Sequence, residues 1–93
     1  MIKSYADSQT EDLFNGKKVK VFPPSILRRA VSKLTQINIA TKLSDLRIPQ
    51  SNRLEKLSGD RAGQWSIRVN DQWRICFEWR NDDAYGVEIT DYH

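Results

Sequence analysis

Between residues 65 and 89 the chain alternates. Trp65, Ile67 and Val69, then Trp73, Ile75, Phe77 and Trp79, then Tyr85, Val87 and Ile89 put a large apolar residue at every second position. Successive side chains on a strand point to opposite faces, so the pattern predicts three strands sharing one apolar face. Asn70-Asp71-Gln72 and Asn81-Asp82-Asp83 supply the turns between them, which makes the segment an antiparallel meander. Ser66, Arg68, Asn70, Arg74, Cys76, Glu78, Glu88, Thr90 and Tyr92 fall on the opposite face. Two arginines and a tyrosine therefore converge there, beside the terminal His93. Arginine binds phosphate, tyrosine can exchange a proton, and histidine titrates near neutral pH. These are the parts needed to cut an RNA backbone without a metal.

Upstream of the meander the period changes. Residues 1–5 alternate weakly and read as an edge strand. Asp7 or Ser8 can cap a short helix over residues 8–15, and Gly16 supplies its stop. Lys17, Lys18 and Lys20 make a basic connection. Pro23-Pro24 opens a second helix expected over residues 24–40. Leu27, Ala30, Val31, Leu34 and Ile37 form its apolar stripe, with Arg28, Arg29, Lys33 and Gln36 on the other faces. Leu43 and Leu46 extend it or add a turn, and Pro49 ends the helical region. Residues 53–57 read as the first strand of the sheet, followed by a two-glycine loop over residues 58–63. Helices first and strands after is an α+β pattern. The expected architecture is two N-terminal helices packed on one face of a mostly antiparallel sheet, with the other face open.

Ninety-three residues are expected to make one domain, spanning residues 1–93. The single cysteine, Cys76, cannot close an internal disulfide, and no long apolar run or leader-like segment occurs, so a cytoplasmic protein with no membrane partner is expected. One histidine and one cysteine do not make a ligand set, so neither metal nor cofactor is expected. Cys76 lies in a strand with no cation designed around it, so a reactive thiol is not expected. The net charge of +3 conceals a strong asymmetry. Residues 14–80 hold 14 Lys/Arg against five Asp/Glu, or +9, while residues 1–13 carry −2 and residues 81–93 carry −4. A positive middle suits an anionic partner.

The run G-D-R-x-G-x-W-S-I-R-V-N-x-x-W-R-I-x-F, residues 59–77, and the closing Asp91-Tyr92-His93 resemble the HigB branch of the RelE-like toxins. The likeness is dense over residues 52–93 and looser over residues 1–49. It implies a RelE-like fold with RNA on the open sheet face, and a toxin of a bacterial type II toxin–antitoxin system. The implied activity is ribosome-dependent cleavage of mRNA by metal-independent acid–base chemistry. The implied partners are the ribosome, mRNA and a cognate HigA-like helix-turn-helix antitoxin, whose complex with the toxin would bind operator DNA. An alternative is a weak or inactive nuclease working as a binding module.

Residue by residue, the resemblance makes Arg74 the phosphate contact and Tyr92 and His93 the acid–base pair, with Asp91 orienting them. Glu55 stands where some relatives have histidine and is a conditional general base. Ser58 stands where some have lysine. Arg68 and Arg61 join the RNA-binding cations, although Asp60 beside Arg61 suggests an ion pair or a turn role. Lys17, Lys18, Lys20, Arg28 and Arg29 form a second basic group, suited to the phosphates of ribosomal RNA or equally to plain solvation on the helix and loop.

Overall fold

The computed structural model describes residues 1–91; Tyr92 and His93 lie outside the described residues. Two helices, α1 (Ser8–Phe14) and α2 (Pro24–Ile39), precede four strands, β1 (Glu55–Lys56), β2 (Trp65–Arg68), β3 (Trp73–Arg80) and β4 (Asp83–Asp91). The strands lie in the order β1-β2-β3-β4, each pair antiparallel. Asp7 caps α1 by accepting the Thr10 N–H at 2.7 Å. Pro24 opens α2, where its missing N–H costs nothing.

Helix α2 covers one face of the sheet. Ile26, Ala30, Leu34 and Ile37 are buried in one cluster with Ile67, Val69, Ile75, Phe77, Val87 and Ile89. The predicted stripe is shifted by one position at its start. Ile26 is buried where Leu27 is only partly so, and Lys33 lies among the buried residues. Phe22 meets Trp73 edge-on at 5.7 Å, and Phe77 meets Trp79 at 6.3 Å, an arrangement aromatic quadrupoles favour.

The two turns differ in chemistry. Asn70 Oδ1 accepts the N–H groups of Gln72 and Trp73 at 2.8 and 2.7 Å, closing the β2–β3 turn. Asn81 and Asp82 both have positive φ, 52° and 64°, and Arg80 pairs with Asp83. This is the two-residue hairpin whose backbone twist matches that of the strands it joins.

Two expectations need correction. Strand β1 is two residues long instead of five, because Arg53 turns into the left-handed region at φ 45° and ends a 3-10 turn over Gln50–Asn52. Pairing still extends past the strand, since the Leu57 N–H donates to Gln64 O at 2.8 Å. The second correction concerns Tyr85. Cys76 pairs with Glu88 but Glu78 pairs with Tyr85, so Gly86 and Val87 together stand opposite Phe77. Gly86 has φ 60°, a conformation that glycine adopts without strain. The extra residue inverts the alternation. Ala84 becomes the buried core residue, and Tyr85 goes to the other face, under the Arg80 guanidinium at 4.0 Å.

The outer edge of β4 is paired along much of its length. Lys3 and Ala6 donate to Ala84 O and Val87 O, while Ala84 and Val87 donate to Met1 O and Ser4 O. The N-terminal segment thus runs parallel to β4, through bridges at Ile2–Ala84 and Tyr5–Val87. Beyond it, the buried Thr10 Oγ1 accepts the Ile89 N–H at 3.1 Å. Covering an edge in this way removes a template for unwanted strand pairing.

Thr10→Val keeps the shape and deletes the acceptor. It is expected to cost about 1–3 kcal/mol in urea denaturation, because the Ile89 N–H stays buried without a partner; wild-type stability would show that the bond contributes nothing. Asp45 offers a second test. Its carboxylate accepts the Lys42 and Thr41 N–H groups at 3.1 and 3.0 Å, and these bonds, Lys42 first, hold its pKa below the ordinary aspartate value. A lowered carboxylate pKa contributes stability that is complete above the unfolded value and is lost as pH falls through the folded one. The gap in melting temperature between wild type and Asp45→Asn should therefore be full at neutral pH and close in acid. A gap that persists to about pH 2 would refute this assignment.

Candidate active site

The sheet face away from the helices carries two cross-strand rows. Glu55, Ser66, Cys76 and Glu88 are successive partners in one, and Arg68, Arg74 and Thr90 in the next. This face is less open than the alternation implies. Ser66, Cys76 and Leu57 are buried without joining the helix-side core. Charged side chains provide part of the lid. Arg61 reaches from the glycine loop to Glu88 at 3.1 Å and donates to Gln64 Oε1 at 3.0 Å. Its carboxylate partner is therefore Glu88, across the sheet, and not the adjacent Asp60. Burial pushes the Cys76 thiol above its ordinary pKa against the opposing pull of Arg61 and Arg74. A thiol in that state is a poor nucleophile.

Arg74 is the most constrained cation of the face, with a side chain only 11% exposed. Its Nε donates to Ser66 Oγ at 2.8 Å, and its Nη2 to Arg53 O at 2.6 Å and Ser66 O at 3.4 Å. The left-handed turn at Arg53 helps bring that carbonyl within reach. Nη1 takes no part in these bonds. Glu55, 54% exposed, lies 3.8 Å from Nη2. A fixed guanidinium beside an accessible carboxylate can hold an anion and accept a proton at neighbouring points.

The other expected site residues are distributed around this pair. Arg68 stands opposite Arg74 and is held by Asp71 of the β2–β3 turn. Asp91 ends β4 opposite Trp73, so it leaves the sheet on the helix side, where Gln72 Nε2 donates to it at 2.8 Å. Tyr92 and His93 lie outside the described residues. Lys17, Lys18 and Lys20 are exposed on the α1–α2 connection, with Lys17 3.7 Å from Asp12. Arg28 and Arg29 are exposed on α2.

Sequence reasoning missed Lys33 and Asn52. Both are buried, and Lys33 Nζ donates to Asn52 Oδ1 at 2.5 Å. The available signal was positional. Lys33 sits between Ala30, Leu34 and Ile37, where the helical stripe calls for an apolar side chain.

Ser66→Ala tests how Arg74 is held. Loss of a hydrogen bond to a charged group should cost about 1.5–3 kcal/mol in chemical denaturation. An unchanged unfolding midpoint would mean that the Arg53 carbonyl suffices.

Two comparisons with known proteins point to one family, and a third to its fold. A model described as the RelE-like toxin of type II toxin-antitoxin system HigB matches residues 3–93. The protein named Endoribonuclease HigB from Proteus vulgaris is 38% identical over 93 residues, covering 100% of both chains. Toxin HigB-1 from Vibrio cholerae serotype O1 is 39% identical over 93 residues, 99% of this chain and 94% of that one. Among solved structures, a chain of the YoeB-YefM complex from Staphylococcus aureus superposes with a TM-score of 0.60 at 16% identity, covering 100% of this chain and 98% of that one. At that identity the likeness speaks to the RelE-like fold alone.

Proposed function

The chain belongs to the HigB-like family of RelE-like toxins of type II toxin–antitoxin systems, and from that membership we propose that it is an endoribonuclease cutting mRNA on the translating ribosome. The observation that carries this reading is the Arg74–Glu55 pair, a pinned cation 3.8 Å from an exposed carboxylate. The relative named Endoribonuclease HigB supports the same chemistry.

In the proposed reaction a base removes the proton from a 2′-OH. The 2′-oxygen then bonds to the adjacent phosphorus, the bond from phosphorus to the 5′-oxygen breaks, and an acid protonates that oxygen. The products are a 2′,3′-cyclic phosphate and a 5′-hydroxyl. We assign phosphate binding to Arg74, assisted by Arg68, and proton removal to Glu55. Tyr92 and His93 are assigned the remaining proton transfer, with Asp91 orienting them. These groups suffice in kind without a metal. Arg61, Lys17, Lys18 and Lys20 are assigned contacts to RNA phosphates. The ribosome would supply what this small site lacks, a 2′-OH held in line with the scissile bond. A cognate helix-turn-helix antitoxin would silence the toxin in the cytoplasm, and their complex would bind operator DNA.

Primer extension on an mRNA translated in a purified system tests the reading. Wild type should cut within codons only when ribosomes are present. Arg74→Ala should lose about 10²–10³-fold in cleavage rate, and Glu55→Gln about 10²-fold. Deleting Tyr92-His93 should abolish the cuts. Undiminished cleavage by Arg74→Ala would sink the mechanism. Growth arrest without any cuts would favour a binding module, a reading to which the three existing bonds of Arg74 also lend support.

A further inference from the structure

Two open clefts adjoin on the flank of α2, and both are walled by Arg29 and Lys33. The larger, about 560 Å³, also meets Ser25, Arg28 and Ser32. The smaller, about 270 Å³, meets Ser51 and Arg68.

Lys33 is the unusual member. It is 9% exposed, yet its hydrogen-bond partner is the neutral Asn52 oxygen. The Asn52 amide nitrogen is committed to Gln36 Oε1 at 2.9 Å and Leu46 O at 3.2 Å, which fixes its oxygen toward the ammonium. Among the described residues no carboxylate forms an ion pair with Lys33, Arg29 or Arg28. Burial, and then the like charges of Arg29 and Arg68, push Lys33 below the ordinary lysine pKa. Folding has therefore gathered three cations, of which Arg68 has Asp71 as its carboxylate partner and Arg29 donates to the Val69 carbonyl at 3.3 Å, and has left the most buried one, Lys33, without a counter-charge. Such a cluster costs stability by itself and is relieved by an anion.

The donor set indicates which anion. Two planar guanidinium forks, an ammonium and nearby serine hydroxyls suit the several oxygens of a phosphate. The position of Arg68 indicates its source. Arg68 walls the smaller cleft and also stands opposite Arg74 in the β2–β3 ladder, so the cleft continues from the sheet face. A single RNA strand can present consecutive phosphates along that path. We propose that Arg29 and Lys33, with Arg68 bridging to the cleavage centre, form a second phosphate subsite, which grips the RNA strand beside that centre. The proposal rests on the ribonuclease reading for its ligand but not for its geometry.

Fluorescence anisotropy of a labelled single-stranded 2′-O-methyl RNA tests it, because that RNA lacks the attacking hydroxyl and stays intact. Lys33→Gln and Arg29→Gln should each weaken binding by roughly threefold to tenfold at low salt, and lower the slope of log affinity against log salt by about 0.7. Circular dichroism checks that each variant is folded. Should Lys33→Gln fail to fold, the exposed pair Arg28→Gln/Arg29→Gln carries the same expectation.

Wild-type affinity and slope in the folded variants would overturn the subsite, as would a wild type that does not bind the RNA. A polyglutamate peptide that binds through Lys33 when RNA does not would also overturn it, in favour of a protein ligand. The cleavage assay keeps the two readings apart. Cuts that depend on Arg74 alongside RNA binding indifferent to Lys33 would remove the subsite and leave the nuclease. Lys33-dependent RNA binding in a protein that makes no cuts would keep the subsite and remove the nuclease.

Discussion

The packing of α2 on the sheet is the constraint from which the rest follows. The four strands expose two faces, and only one can be covered by a sixteen-residue helix. Ile26, Ala30, Leu34 and Ile37 bury one face with the alternating apolar residues of β2, β3 and β4. Each of the larger side chains contributes roughly 1.5–3 kcal/mol when it leaves water. The covered face takes the apolar set, so the charged set is committed to the other. Charges cannot be packed away there without partners, and several of the partners are distant in sequence. Glu88 meets Arg61, Glu55 meets Arg74, and Ser66 receives the Arg74 Nε–H.

The fourth strand shows how local backbone chemistry serves this division. Without the extra residue at Gly86 and Val87, strict alternation would point Tyr85 at the helices and Ala84 away from them. The bulge reverses that over a single step and seats the smaller Ala84 against the N-terminal segment, which pairs with it in both directions. Tyr85 then lies on the charged face, where the Arg80 guanidinium covers its ring. Cation–π contact contributes about 0.5–1 kcal/mol at an exposed position. One glycine thus decides both the edge and the face of β4.

Much of this was legible in the sequence. Period two gave the meander, Asn-Asp pairs gave the turns, and Pro24 gave the start of α2. The helix-first order gave the α+β layering. The failures have physical causes of their own. Alternation cannot be continued through a bulge, so Tyr85 was misplaced by the one position at which Gly86 enters left-handed space. Residues 53–57 resemble a strand by composition, but Arg53 adopts φ 45° to end the preceding turn. Partner choice was the least legible property. Arg61 has Asp60 as its neighbour in sequence, yet pairs with Glu88, because the loop folds over the sheet. A spacing rule sees the first and not the second. Lys33 was placed on a polar face for the same reason, since its amide partner comes from a 3-10 turn nineteen residues away.

Two groups of cations in the basic middle of the chain differ in kind. On the sheet face, Arg61, Arg68, Arg74 and Arg80 each have a carboxylate within 4 Å: Glu88, Asp71, Glu55 and Glu78. Such pairs are neutral at a distance, and the exposed ones add little stability. Helix α2 is different. Its residues 28, 29 and 33 are all cationic and lie within two turns, with no carboxylate paired to them among the described residues. Surface cations alone would be screened by salt over roughly a Debye length, about 8 Å at physiological ionic strength. Lys33 is buried among them, at the wall of two open clefts. On the sheet face Arg74 is already held by three hydrogen bonds, so an anion bound there would require little reorganisation of its guanidinium.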